Sequence, residues 1–211
     1  MDAQEHYFTA DPASADQRRE LTVPIAGAPM TVETAPGVFC PERLDLGTSV
    51  LLRSVPDPPQ HGHLLDLGCG WGPISLTLAS LSPEATVWGV DVNRRALDLL
   101  ARNAARHGLD NVHAAEPGAV PEDVSFAAIW SNPPIRVGKA ALHEMLLQWL
   151  PRLAPGGTAS LVVQKNLGAD SLHAWLGGTL GSSFSTARLA SAKGFRVLTV
   201  HRHLTPPVEG A

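Results

Sequence analysis

Cysteine is nearly absent: Cys40 and Cys69 are the two such residues in a chain of 211. So sparse a supply excludes a disulfide scaffold and a four-cysteine zinc site, and makes a reducing cytoplasm the expected compartment. Long apolar runs are missing too. An uncharged stretch as long as any, Ser171 to Ala187, is broken by Gly177, Gly178 and Gly181, so no segment is expected to span a bilayer. The opening residues carry Asp2 and Glu5 where a secretory signal needs a positive start and an apolar run, so secretion is not expected. Nor does charge of one sign dominate: 16 Lys and Arg stand against 20 Asp and Glu, a net of −4, too mild for a polyacidic or polybasic disordered chain. Internal repeats, a Gly-x-Ser-x-Gly elbow and a Walker motif are all lacking. His61 and His63 have neither a cysteine pair nor a carboxylate at ligand spacing, so no metal is expected.

What is present is apolar material for a full core, with 44% hydrophobic residues, and one domain is the natural count. The charges are unevenly spread. Residues 1–129 hold eight basic residues against 17 acidic ones, whereas residues 130–204 hold eight basic against Glu144 and Asp170, a net of +6. That half suits a polyanionic partner, whose condensed counterions are released on contact, or is simply a solvated face.

Alternation of Leu21, Val23 and Ile25, a turn at Gly27, and alternation of Met30, Val32 and Thr34 predict a β-hairpin, preceded by a loop to about Gln17. A helix over Leu44 to Arg53 follows, ended by the linker Ser54 to Gly62 with Pro56, Pro58 and Pro59. From His63 onward, strand and helix patterns alternate. Strands are expected at His63 to Asp66, Thr86 to Asp91, Val112 to Ala115, Phe126 to Ser131 and Thr158 to Val163, with two more near Ser183 to Leu189 and Phe195 to His201. Asn93 is placed to cap a helix whose apolar stripe reads Leu97, Leu100, Ala101 and Ala104. Another stripe runs through Leu142, Met145, Leu146 and Trp149, and a turn at Pro155, Gly156 and Gly157 precedes the fifth of these strands. Such alternation predicts a doubly wound α/β sheet. The expected organisation is an N-terminal extension over 1–55, a main domain over 56–204 and a disordered tail over 205–211.

The first strand of that domain ends in Asp66, Leu67, Gly68, Cys69, Gly70, Trp71 and Gly72, putting three glycines in the first strand-to-helix turn. Glycine accepts positive φ and lets backbone approach a ligand closely, and ligands bind such sheets at the carboxyl ends of the strands. Asp91, at the end of the second strand with Val92 beside it, is where a carboxylate reaches both hydroxyls of a ribose. The dinucleotide spacing fails, because its third glycine falls on Pro73. Asp66 would repel a pyrophosphate but can pair with an ammonium, a charge pattern that suits S-adenosylmethionine. In these residues the chain resembles the class I S-adenosylmethionine-dependent methyltransferases. The resemblance implies a Rossmann-like, mostly parallel seven-stranded sheet with a last antiparallel strand, and a bound S-adenosylmethionine. It also implies Glu116 near the adenine amino group.

After the fourth strand stand Ser131, Asn132, Pro133, Pro134 and Ile135. Consecutive prolines fix φ and remove two donors, so carbonyls there are held rigidly toward the crevice. With the Asn132 side-chain oxygen they can accept both hydrogens of a planar amino group and turn its lone pair toward a methyl donor. This resembles the Asn-Pro-Pro-aromatic motif of amino-group methyltransferases, with Ile135 in the aromatic's place. Stacking on the acceptor would then fall to Phe8, Phe39 or Trp71.

Further segments are similar to the RsmC-type guanine-N2 methyltransferases of small-subunit ribosomal RNA. They are His6 to Phe8, Gly37 to Phe39, Leu44 to Thr48, Asn132 to Lys139, Val163 to Asn166 and Lys193 to Arg196. This resemblance implies a methyltransferase in which Asp66, Gly68, Cys69, Gly70, Gly72, Asp91, Val92, Glu116, Asn132 and Thr48 hold the cofactor. Asp45 to Thr48 would border it, Asn132, Pro133, Pro134 and Ile135 would carry the chemistry, and Arg136, Lys139, Lys165 and Arg196 would line the RNA side. Two alternatives stay open: methylation of a protein glutamine, which also presents an amide nitrogen, and a ribosome-assembly factor that binds RNA without transfer. Neither cysteine has a placed histidine partner; Cys69 is expected to fill the turn.

Overall fold

The computed structural model describes residues 10–204, without the side chain of Arg136. His6, Tyr7, Phe8 and the expected tail therefore lie outside the described residues. The hairpin forms as β1 (Arg19–Ile25) and β2 (Ala28–Thr34), with Ile25 opposite Ala28. Both turn residues, Ala26 and Gly27, have positive φ (49° and 82°), the backbone sense that matches the twist of paired strands. Alternation buries Val23, Ile25, Val32 and Thr34. Each of the three hydrophobic side chains contributes roughly 1.5–3 kcal/mol on full burial. They share one apolar cluster with Trp71, Leu76, Leu99 and Leu100, so the hairpin lies against the helices of the main fold.

Helix α1 (Leu46–Ser54) begins two residues later than the apolar pattern predicts, because Asp45 accepts a hydrogen bond from the Thr48 N–H and caps it. Its buried Val50 and Leu51 belong to the cluster that holds Val162 and Val197.

The main sheet comprises β3 (His63–Leu67), β4 (Thr86–Val90), β5 (Val112–Ala115), β6 (Phe126–Ser131), β7 (Leu153–Gln164), β8 (Phe184–Ala192) and β9 (Phe195–Arg202). The helices between them are α2 (Pro73–Leu81), α3 (Arg94–Arg106), α4 (Lys139–Trp149) and α5 (Ala169–Thr179). Strand order is β5-β4-β3-β6-β7-β9-β8, and β9 runs antiparallel to both its neighbours. The chain leaves β3 for β4 on one side and meets β6 on the other, so a crevice opens beyond the ends of β3 and β6.

Two local expectations change. The Pro155-Gly156-Gly157 turn lies inside β7: Phe126 pairs with Leu153 and Ala128 with Thr158, so residues 154–157 bulge from the ladder. A Cβ on Gly157 would stand 2.8 Å from the Phe126 carbonyl oxygen, hence glycine there. On α3 the buried face is Ala96, Leu99, Leu100, Asn103 and Ala104, while Ala101 is exposed and Leu97 half-buried. The stripe rotates because Asn103 is drawn inward: its amide accepts from the Glu33 N–H (2.7 Å) and donates to the carbonyls of Glu33 and Trp71 (3.0 Å each). A polar side chain so satisfied packs as core, which an apolar count misses.

Candidate active site

A cavity of about 800 Å³ opens at the crevice between β3 and β6. Its donor end is lined by Gly68, Val90, Asp91, Val92 and Pro117, and the Asn132–Ile135 loop borders the rest. The glycine turn is drawn onto β4: the N–H groups of Gly68 and Cys69 both donate to the Val90 carbonyl (2.8 and 3.0 Å). Asp91 completes the turn by accepting from the Gly70 N–H on Oδ2 (3.0 Å) and from the Asn93 N–H on Oδ1 (2.9 Å). Burial raises its carboxyl above the usual carboxylate range, against those backbone hydrogen bonds. Each oxygen keeps a lone pair for a ligand hydroxyl.

The predicted donor residues do not all reach this cavity. Gly68, Asp91, Val92 and Asn132 line it. Thr48, Cys69 and Gly70 line a recess of about 20 Å³ beside it, which also touches Asn132. Gly72 stands behind, at φ 102°, where a Cβ would press within 2.5 Å of Leu100 Cδ1. Asp66 is fully buried behind the turn. Its Oδ2 accepts from the Ser75 N–H (2.9 Å) and hydroxyl (2.6 Å), and its Oδ1 has no protein partner. Burial pushes its carboxyl up to about 7, against the two hydrogen bonds from Ser75. Glu116 is not among the residues lining the cavity: it is exposed and paired with Arg94 Nε (3.0 Å), while its neighbour Pro117 lines the cavity. Arg94, at the start of α3, also reaches Asp11 (3.2 Å).

The far wall comes from the segment after the hairpin: Val38, Phe39, Cys40 and Pro41. Asn93 caps α3 through Oδ1 and donates its Nδ2 to the Gly37 carbonyl (2.7 Å), tying this wall to the donor end. Gly37 has φ 81°, and a Cβ there would stand 2.5 Å from Pro12 and 2.9 Å from Arg95 Nη1. Of the predicted stacking aromatics, Phe39 lines the cavity, and Phe8 lies outside the described residues. Trp71 is buried in the core with its indole N–H donating to the Cys40 carbonyl (3.3 Å), so it is not free to stack. Burial raises the thiols of both Cys40 and Cys69, which suits packing and not nucleophilic attack.

In the proline loop, Asn132 donates both hydrogens of Nδ2, to Asp45 Oδ2 (2.8 Å) and Thr48 Oγ1 (3.1 Å). The amide oxygen is left as its remaining polar atom. Both proline carbonyls accept a hydrogen bond from within the loop. Pro134, at φ −75° and ψ 76°, sits in a three-residue turn closed by the Ile135 N–H on the Pro133 carbonyl (2.9 Å). The Val137 N–H donates to the Pro134 carbonyl (3.2 Å). These N–H groups open the single 3₁₀ turn Ile135–Val137 and need acceptors, which the two carbonyls supply. Pro133 retains its second lone pair. Ile135 packs on the central apolar cluster and lines the cavity.

None of the predicted substrate cations Lys139, Lys165 and Arg196 is among the cavity-lining residues, and Arg136 is described without its side chain. Lys139 and Lys165 are exposed. The Arg196 guanidinium is mostly buried and paired with Asp170, which also pairs with Arg188. Phe195, Gln164 and Glu144 line the far end of the cavity. Gln164 and Phe195 fall in segments that carry the family resemblance but are given no site role by sequence reading, and Glu144 is not singled out as a site residue; local sequence is silent on the insertion of β9 beside β7. Among the described residues no three metal-ligating side chains come together; His61 pairs instead with Glu84 (3.2 Å). No helix there is long and apolar enough to cross a membrane.

The methyltransferase small domain family matches residues 29–199. The chain is 34% identical to the YbxB protein of Bacillus subtilis over 170 residues, 79% of this chain and 85% of that one. It is 36% identical over 182 residues to ribosomal RNA small subunit methyltransferase C of Ectopseudomonas mendocina, covering 84% of this chain and 53% of that one. Among solved structures it resembles the T. thermophilus 16S rRNA N2 G1207 methyltransferase (RsmC) in complex with AdoMet and guanosine. The TM-score is 0.75 at 27% identity, over 91% of this chain and 52% of that one. The chain thus spans about half the length of these ribosomal RNA methyltransferases.

Proposed function

The chain belongs to the methyltransferase small domain family, and from that premise we propose that it methylates the exocyclic N2 amino group of a guanine in ribosomal RNA. S-adenosylmethionine is the donor. The observation that carries this reading is one cavity of about 800 Å³ lined both by Asp91 and by Asn132, a size that accommodates a nucleoside and a base together. The relative solved with AdoMet and guanosine supports the same pairing of ligands.

The donor end fits S-adenosylmethionine. Nothing stands within 4 Å of the point where a Gly68 Cβ would be, so a ligand can approach that backbone. Val92 is an exposed apolar side chain for a flat ring to cover, Asp91 keeps lone pairs for ribose hydroxyls, and the orphaned Asp66 Oδ1 can be satisfied by an ammonium or through water. Bound there, S-adenosylmethionine supplies an electrophilic methyl on a sulfonium. A guanine amino nitrogen is a poor nucleophile because its lone pair is delocalised, so placement must do much of the catalysis. Asn132 Oδ1 accepts one amino hydrogen, and the free lone pair of Pro133 can take the other. Together they turn the nitrogen lone pair toward the donor end. Base extrusion from a loop or an unpaired strand requires only a few kcal/mol. Exposed Lys139, Lys165 and Lys193 give the C-terminal half a surface suited to phosphates.

The test uses methyl-labelled S-adenosylmethionine with unmodified 16S ribosomal RNA, free and assembled into small subunits, and in parallel with total cell protein. Label is expected in RNA and, after nuclease digestion, in N2-methylguanosine. Recovery in protein as N-methylglutamine overturns the substrate; donor binding without transfer in a single-turnover assay overturns catalysis.

A further inference from the structure

We propose that Asp45 is the positioning residue of the acceptor site, setting which end of the Asn132 amide faces the substrate. The inference rests on the role given to Asn132 above. An asparagine amide has two ends of nearly equal size and opposite polarity. Turned over, it would present two hydrogens to the hydrogens of an amino group and repel them. The loop does not prevent this by itself, because Pro133 and Pro134 have no N–H to hold the amide oxygen, and the Asn132 amide hydrogens go to Asp45 and Thr48 rather than to a loop carbonyl.

What settles the sense lies 87 residues away. The Asp45 carboxylate accepts and does not donate, so the end of the amide against Oδ2, at 2.8 Å, is the NH₂. Thr48 Oγ1 takes the second hydrogen at 3.1 Å, but a hydroxyl would serve either orientation, so the carboxylate decides. The same Oδ2 accepts the Thr48 N–H at 3.1 Å, so one oxygen both starts α1 and holds Asn132. The first turn of α1 is in turn braced from β9: a Cβ on Gly47 would come within 2.9 Å of the Phe195 ring, and Phe195 lines the same cavity. Substrate-side elements thus converge on the orientation of one amide.

Three variants test this. Asp45→Ser can cap α1 but is too short to reach Asn132. Asp45→Asn can place its amide oxygen where Oδ2 stands and accept both bonds. Thr48→Val removes the second acceptor and leaves the cap. The probe is unmodified 16S ribosomal RNA with labelled S-adenosylmethionine in single turnover, with donor affinity, melting temperature and the side-chain ¹⁵N resonance of Asn132 measured in each. Asp45→Ser is expected to melt like wild type, yet to show fast solvent exchange of the Asn132 amide hydrogens and, at saturating donor, about a hundredfold slower transfer. Asp45→Asn is expected to restore slow exchange and bring transfer to within about threefold of wild type, with Thr48→Val between the two. Slow exchange or wild-type transfer in Asp45→Ser overturns the role of Asp45. If Asp45→Ser fails to fold, fast exchange of the Asn132 amide hydrogens in the wild-type protein overturns it, since the carboxylate would then not be holding them. Asn132→Ala separates the two claims: full transfer there removes the reading of Asn132 itself, whereas its loss beside a fully active Asp45→Ser removes only the positioning.

Discussion

At the donor end of the cavity the partners are close along the sheet. Gly70 is held by Asp91, 21 residues on, and Gly68 and Cys69 by the carbonyl of the adjoining strand. At the acceptor end Asn132 is held by Asp45 and Thr48, 87 and 84 residues back, and the facing aromatic, Phe195, comes from the last strand. On the proposed reading, binding a donor depends on one βαβ unit, while presenting an acceptor depends on the hairpin exit, α1, β6 and β9 meeting correctly. Donor affinity and transfer rate should respond to different substitutions, and that separation can be measured.

The largest effect is expected from Asn132→Ala, which removes the acceptor oxygen. Single-turnover transfer should fall by about a hundredfold or more while donor affinity, by calorimetry, stays close to wild type. A parallel loss of donor affinity would mean that the two ends are not separable. Next comes Asp91→Ala, the converse case. Loss of charged hydrogen bonds worth ~1.5–3 kcal/mol predicts about 10- to 150-fold weaker donor binding, with transfer at saturating donor much less affected.

A smaller effect concerns Asp66 and pH. Its carboxyl is raised to about 7 in the folded protein, so between the ordinary carboxylate range near 4 and about 7 the folded chain binds more protons than the unfolded one. Its contribution to stability is full below that window and is lost as pH rises through it. Asp91, raised in the same direction, adds to the slope. The donor-free protein should therefore melt at a lower temperature at pH 7.5 than at pH 5, and Asp66→Asn should flatten the decline. A decline as steep in the variant would place its origin elsewhere. Smallest of all is Glu116→Gln. Because this exposed carboxylate is engaged by Arg94 outside the cavity, donor affinity should change by less than about threefold, as exposed ion pairs contribute little. A tenfold loss would show that the side chain turns inward when donor is present.

The same contrast governs how far each end could be read from residues alone. Gly68, Asp91 and Val92 were legible because a glycine turn after one strand and an acid after the next occupy neighbouring ends of a parallel sheet in any such fold. For Glu116 the same logic is silent on Arg94, since strand position says nothing about an arginine that captures the side chain. Asp45 and Thr48 were legible only as a helix start bordering a cofactor; their bond to Asn132 has no trace in local spacing. Trp71 shows the reverse failure, an aromatic beside the glycine turn that the core claims before any ligand can.

By itself the order of residues determined the local elements and the donor turn, because periodicity, capping at Asp45 and Asn93, and glycine at positive φ act within a few residues. It also pointed to Asn132, Pro133, Pro134 and Ile135, which the structure places at the cavity, as the loop proposed to react. Tertiary structure alone decided that β9 enters between β7 and β8, that Phe195 reaches the cavity, and that a carboxylate from the start of α1 holds the amide of Asn132. Those contacts join residues more than 30 to nearly 90 positions apart, and their existence depends on strand order and packing, which no single stretch of the chain encodes.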